Sequence, residues 1–226
     1  MMLFSNILTP HDIADVYMNN IKIEYISSIR FLGVIIDDKL KFNLHINEIT
    51  KKVSKNNGIL YKLKQYVPCN ILLSIYHSII ECYINYCNLI FGNAAGTHIS
   101  PLEIAQKKAI RIVANQPPRS HTNPIFSSLK ILKISDLYKY NLGIYMWKNE
   151  INFAQYFQIN FYNTRSGDHY VPSVQRLTLA QNQSIYHQVL LNWHDIPLDI
   201  KSSPSLVGFK RKYKSHLISY YLSEDV

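Results

Sequence analysis

Ile46-Asn47-Glu48-Ile49-Thr50-Lys51-Lys52-Val53-Ser54-Lys55-Asn56-Asn57-Gly58-Ile59-Leu60-Tyr61-Lys62-Leu63 decides the fold class. Ile46, Ile49, Val53, Leu60 and Leu63 recur at helical spacing with no proline among them, which predicts an amphipathic helix. At about 100° per residue, Lys51, Lys55 and Lys62 fall within an arc of roughly 40° opposite that stripe. One face packs and the other is basic.

Downstream, Pro68 ends this helix and Asn70 is placed to cap the next, whose Leu72, Ile75, Ile79, Tyr83 and Tyr86 form a second stripe. An antiparallel helix pair follows. Ile71 to Phe91 is the longest apolar stretch, but His77, Glu81, Asn85 and Asn88 interrupt it, so it reads as a buried core helix and not a membrane span. Ser100-Pro101-Leu102-Glu103 has the form of a capping box: N-cap serine, proline at the first helical position, glutamate at the third. In that helix Leu102, Ala105, Ala109 and Val113 share one side, Lys107, Lys108 and Arg111 the other, and Pro117-Pro118 stops it. A further helix is predicted from Ser135-Asp136 through Trp147, with Leu137, Tyr140, Ile144 and Trp147 on one face. Residues 152–182 are polar and irregular, with Asn163-Thr164-Arg165-Ser166-Gly167 as a loop, and a module boundary is expected there. Ser184 to Trp193 predicts one helix. Ser203-Pro204 caps a last one, with Leu206, Phe209, Tyr213, Leu217 and Tyr220 as its stripe beside Lys210, Arg211, Lys212 and Lys214.

Upstream, Ile21-Lys22-Ile23-Glu24-Tyr25 alternates and Ile29 to Ile36 is rich in β-branched and aromatic residues, so two short strands separated by Ser27-Ser28 predict a hairpin. The fold class is therefore mostly α with a small N-terminal β-hairpin: a helical bundle plus a smaller helical C-terminal module.

The composition is that of a globular chain, 47% hydrophobic and 17% charged over 226 residues. Its formal charge of +9 favours polyanionic partners. Ile, Asn, Lys and Tyr, the residues of A/T-rich codons, number 31, 20, 18 and 17, so bulk lysine content alone is weak testimony. Distribution says more: residues 1–40 sum to −2, residues 41–130 to +8 and residues 131–226 to +3. Three cysteines, Cys69, Cys82 and Cys87, make no disulfide framework, and the start Met-Met-Leu-Phe-Ser-Asn lacks a signal peptide's basic region. An intracellular setting, nucleus or cytoplasm, is expected.

Asp37-Asp38 invites comparison with the paired carboxylates that hold metal ions in nucleotidyl transfer. Asp12, Asp15 and Glu24 are the only upstream acidic partners and none stands in a suggestive context, so the expectation is acidic residues at a strand end and helix start. None of the nine histidines pairs with cysteine at a zinc spacing, and no nucleophile elbow, phosphate loop or dinucleotide fingerprint occurs. No catalytic residue, metal site or small-molecule substrate is predicted. Three basic helix faces remain, suited to phosphates as point charges without sequence readout.

Phe31-Leu32-Gly33-Val34-Ile35-Ile36-Asp37, then Leu40, Phe42, His45-Ile46, Ile49 and Lys52, resembles the segment just past the catalytic core of LINE-type (non-LTR) retrotransposon reverse transcriptases, especially the jockey-like clade. Leu60-Tyr61-Lys62-Leu63, Pro68, Ile75-Tyr76-His77-Ser78-Ile79-Ile80, Tyr86-Cys87, Phe91-Gly92, Leu102, Gln106-Lys107-Lys108-Ala109-Ile110-Arg111-Ile112, Pro124-Ile125-Phe126 and Leu129-Lys130-Ile131-Leu132 follow in the family's order. Thr164-Arg165-Ser166, Trp193, Ile196-Pro197 and Phe209-Lys210 resemble its C-terminal block, although Trp193-His194-Asp195 departs from the usual Trp-Asn form.

The resemblance implies a palm remnant with a primer-grip-like hairpin over 1–40, a thumb-like helical bundle over 41–150 and a C-terminal segment over 151–226. Phe31, Leu32 and Gly33 would steady a primer end. Lys51, Lys55, Lys62, Lys107, Lys108, Arg111, Lys210, Arg211 and Lys214 would bind nucleic acid, the implied partner being an RNA/DNA template-primer duplex. The family's Phe/Tyr-x-Asp-Asp turn is expected upstream of residue 1, and Asp37-Asp38 does not match it. The chain is thus expected to be a reverse transcriptase fragment, inactive alone, with no cofactor of its own and magnesium belonging to the full-length parent. Contact with the absent palm and fingers, or with another protein, is also expected. The competing readings are a helical interaction or scaffold protein and a pseudogene product without function. No membrane association is expected.

Overall fold

Two antiparallel hairpins precede the helices in the computed structural model, which describes residues 1–4, 15–156 and 185–222. β1 (Tyr17–Met18) pairs with β2 (Ile21–Lys22), and β3 (Ser28–Phe31) with β4 (Val34–Asp37) in a register running from Ser28↔Asp37 to Phe31↔Val34. The single hairpin expected to turn at Ser27-Ser28 is therefore two, and the larger one reverses at Leu32-Gly33. Two-residue hairpin turns of the commonest kind need positive φ at both central positions. Leu32 and Gly33 have φ of 45° and 83°, and Asn19 and Asn20 turn the first hairpin at 50° and 60°. Asparagine tolerates that region better than most residues, and glycine enters it at no steric cost.

The helices are α1 (Asn43–Leu63), α2 (Cys69–Tyr76), a π-helical turn (His77–Glu81), α3 (Cys82–Asn85), α4 (Asn88–Phe91), α5 (Gly96–Val113) and α6 (Asn123–Leu129). They continue as α7 (Ile134–Tyr156), α8 (Ile185–Asp195), α9 (Leu198–Lys201), α10 (Leu206–Ser219) and a closing 3₁₀ turn (Tyr220–Leu222). The expected class, mostly α with a small N-terminal hairpin element, is the one observed. α1 buries Ile46, Ile49, Val53 and Leu60 as its spacing requires, and leaves Leu63 half-buried at its end. It packs most extensively on α5 and also meets β4, α2, the π turn and α3. α7 meets α4 on one side and α8 and α10 on another, so one hydrophobic cluster runs from Val34 to Tyr221. No helix among the described residues is long and apolar enough to cross a membrane.

Four local expectations need correction. The second stripe lies one residue on: Leu72, Tyr76, Ile80 and Ile84 are buried, whereas Ile75 and Ile79 are half-buried and Tyr83 and Tyr86 exposed. A strict four-residue repeat overruns an ideal α-helix by about 40° per step. The wider π turn relieves that drift, and Asn56 of α1 donates its side-chain amide to the Ile79 carbonyl within it. Asn70 does not cap α2, since Pro68 stands at that position. The capping box is overridden too: α5 begins at Gly96, with Pro101 inside it, and Glu103 pairs with Lys107 at 2.7 Å. The extra turn packs Ile99 against the core. Finally, α10 is capped by Ser205, whose hydroxyl accepts the Gly208 N–H at 3.2 Å, while Ser203 is buried and donates to Ile200 O at 2.7 Å; Tyr221, not Tyr220, completes its buried face.

α7 runs nine residues past Trp147 with a kink at Asn149, where φ is −117°. Residues 152–156 are therefore helical. The Asn163–Gly167 loop and its Thr164-Arg165-Ser166 motif lie outside the described residues.

Candidate nucleic-acid interface

The candidate interface centres on α1. Its apolar stripe turns Lys51, Lys55 and Lys62 outward, all three are exposed, and none makes an ion pair among the described residues. Glu48 is the single carboxylate of α1, and it is already neutralised by Arg30 from β3 and by Lys52 at 2.7 Å. The Arg30 guanidinium, then Lys52, hold the Glu48 carboxyl down to about 2. From Ile49 to Ile80 the chain carries five lysines and no acidic residue. A polyanion lying along this face meets no unpaired carboxylate of α1.

α5 adds less than its sequence suggests. Lys107 is held by Glu103, and the Arg111 Nε donates to Ser120 O at 2.9 Å, which leaves Lys108 exposed without an ion pair among the described residues. The two helices are fixed to one another by the buried Asn57, whose amide donates to Ala105 O at 2.8 Å. On α10, Arg211 is exposed and Lys210 and Lys214 are half-buried. That helix is held by α7, α9 and α6.

Phe31, Leu32 and Gly33 form the tip of the β3–β4 hairpin. The Tyr86 hydroxyl donates to Leu32 O at 2.6 Å, and its ring lies 3.5 Å from where a Gly33 Cβ would sit. Periodicity assigned Tyr86 to an apolar stripe; it is instead a latch on the hairpin. Two residues past the turn, Ile35 N donates at 3.4 Å to Nδ1 of His45, which is buried against Phe91. Burial pushes the His45 imidazole below its ordinary value.

Asp37 is structural. It is buried, its Oδ1 accepts the N–H groups of Lys39 and Lys41 at 3.2 and 3.0 Å, and its Oδ2 accepts that of Phe42 at 2.6 Å. These bonds shape the turn between β4 and α1, where Leu40 and Phe42 take φ of 52° and 55°. No cluster of three metal-ligating side chains occurs among the described residues. With both its carboxylate oxygens accepting backbone N–H groups, Asp37 is committed to this turn and does not fit a magnesium site.

Tyr66 and Gly58, exposed just beyond α1 and within it, border this face and were not marked by periodicity. The acid-free run from Ile49 to Ile80 would have pointed to them.

No protein-family profile matches the chain, and no solved structure matches it. Two curated relatives do. The chain is 27% identical over 129 residues to the RNA-directed DNA polymerase from mobile element jockey of Drosophila funebris, covering 55% of this chain and 14% of that protein. It is 29% identical over 126 residues to the protein of the same description from Drosophila melanogaster, covering 54% of this chain and 14% of that protein. The chain thus spans only a small part of the length of these relatives. Over a little more than half of its length, then, this chain is similar to RNA-directed DNA polymerases from the mobile element jockey.

Proposed function

We propose that this chain is the nucleic-acid-holding, thumb-side part of such a reverse transcriptase, gripping an RNA/DNA template-primer duplex through its phosphates without reading sequence. In this reading residues 1–40 end the palm, 41–150 form the thumb and 151–226 the C-terminal segment. The observation that carries it is the unopposed lysine face of α1, with Lys51, Lys55 and Lys62 exposed and Glu48 neutralised. Lys108 adds to that face, Lys107 and Arg111 by exchanging their present partners, and Lys210, Arg211 and Lys214 give a second, weaker contact. Phe31, Leu32 and Gly33, latched by Tyr86, are the surface offered to a primer end.

The chain contains no Phe/Tyr-x-Asp-Asp turn, and it is expected to give no primer extension with magnesium and nucleotides. Counterion release supplies the test. Binding of the purified chain to a template-primer duplex should weaken steeply with salt, and changing Lys51, Lys55 and Lys62 together to Gln should lower the log–log slope by about 3. An unchanged slope would overturn the reading.

One observation favours a second reading, protein interaction. Met18, Ile21, Phe31 and Leu32 on the hairpins are 60–74% exposed, an apolar edge that fits cover by protein. Absence of duplex binding at low salt would leave that reading in place of the first.

A further inference from the structure

The lysine face of α1 does not stop where the helix does. After Leu63 the chain goes on in helical turns: Lys64 N–H reaches Leu60 O at 3.0 Å and Val67 N–H reaches Leu63 O at 3.1 Å. Counted on that wheel, Tyr66 lies one turn beyond Lys62 and about 40° round from it, in line with Lys51, Lys55 and Lys62. Its ring is 76% exposed, and its hydroxyl makes no hydrogen bond among the described residues. Among the described residues that side chain makes no ion pair or ring contact either.

Two neighbours fit the same picture. Gly58 sits on the same arc between Lys55 and Lys62, and a Cβ there would meet nothing within 4 Å, so packing does not require glycine. Its absence of a side chain opens a gap in the ridge where a polymer backbone can approach the helix. Lys62 and Lys64 offset the negative end of the helix dipole, which would otherwise repel phosphate at this place. Lys64 itself stands 4.8 Å over the ring of Tyr61, on another side of the helix, and leaves Tyr66 free.

An exposed ring beside unopposed lysines has a defined chemical complement. In a duplex the base faces are covered by their neighbours, whereas an unpaired base offers a face that any aromatic side chain can stack on. We infer that the end of α1 is a single-strand nucleic-acid site, in which Lys51, Lys55 and Lys62 hold successive phosphates across the Gly58 gap and Tyr66 stacks on an unpaired base. This rests on the phosphate-binding reading of α1 given above and adds to it a preference for an unpaired stretch.

The test compares a labelled mixed-sequence single strand with the blunt duplex made from it, by fluorescence anisotropy on the full chain. Tyr66→Ala should weaken single-strand binding about tenfold and leave duplex binding within about twofold. Tyr66→Phe, which keeps the ring, should bind as the parent does. A 2-aminopurine placed in the strand should be quenched by the parent and by Tyr66→Phe, and not by Tyr66→Ala. If the parent binds duplex but not single strand, or Tyr66→Ala lowers both alike or neither, this inference is overturned while the phosphate reading stands. If the parent binds neither probe, both are overturned.

Discussion

Replacing Gln106 by leucine should unfold this protein far more readily than its place in a basic helix suggests. Gln106 is 1% exposed and joins three elements: its Nε2 donates to the Tyr76 hydroxyl at 3.1 Å and to Leu132 O at 3.0 Å, and its Oε1 accepts Ile134 N–H at 3.0 Å. Tyr76, Leu132 and Ile134 are themselves 0%, 3% and 1% exposed, so water cannot take over any of these bonds. Each buried polar group left without a partner costs about 1–3 kcal/mol. With leucine filling the volume, Tyr76 keeps rotational freedom, and the Leu132 carbonyl and Ile134 N–H bear most of the loss. The expected destabilisation is roughly 3 kcal/mol, a fall in Tm of about 6–12 °C for a chain of this size. Tyr76→Phe, which removes one hydroxyl, should cost only about 1 kcal/mol. Urea denaturation of both variants and of their combination measures this, and the coupled pair should cost less than the sum of its parts. A loss below about 1 kcal/mol for Gln106→Leu would refute the assignment of Gln106 as the tie between α2, α5 and the start of α7.

Gly58→Ala places a better helix former at an open position inside α1 and should raise stability by about 0.5–1 kcal/mol, read as Tm. The same variant should weaken nucleic-acid binding. Tyr86→Phe removes the hydroxyl that holds Leu32 O and should speed amide exchange in the β3–β4 hairpin while leaving the helices unchanged. His45 is neutral and below its ordinary value of 6.5 when folded. The unfolded chain therefore binds the extra proton, so this contribution is complete above pH 6.5 and is lost as pH falls below it. His45→Gln should flatten that part of the stability–pH curve. Glu48 contributes in a lower window: its carboxyl falls from 4.5 to about 2, so the stabilisation present above pH 4.5 disappears as pH drops toward 2. Because Arg30 and Lys52 are about half exposed, solvent screens both pairs, and Arg30→Gln should lower stability only slightly while raising the Glu48 carboxyl toward its ordinary value.

What could be read from the sequence was what repetition enforces. Ile46, Ile49, Val53 and Leu60 must share a side, and burying that side puts Lys51, Lys55 and Lys62 in water whatever the rest of the chain does. Single-site signals fared worse. Ser100-Pro101-Leu102-Glu103 fits a helix start, yet a turn of helix upstream packs Ile99 on the core, and that contact outweighs the local preference. Leu32-Gly33 was legible as part of a tight turn through the resemblance, while the strand pairing was not, because Ser27-Ser28 also reads as a break. Tyr86, Asn57 and Gln106 act across 54, 48 and 26 to 30 residues, distances over which no local pattern carries information. Asp37 shows the converse: its place at a strand end was legible, and its three backbone bonds explain why a carboxylate stands there.

The most direct test of the central claim is a lysine footprint. The chain, bound to a template-primer duplex at low salt and acetylated briefly, should show protection at Lys51, Lys55, Lys62 and Lys108, with weaker protection at Lys210 and Lys214 and none at Lys22 or Lys201. Uniform protection, or protection confined to residues outside α1 and α5, would contradict the account.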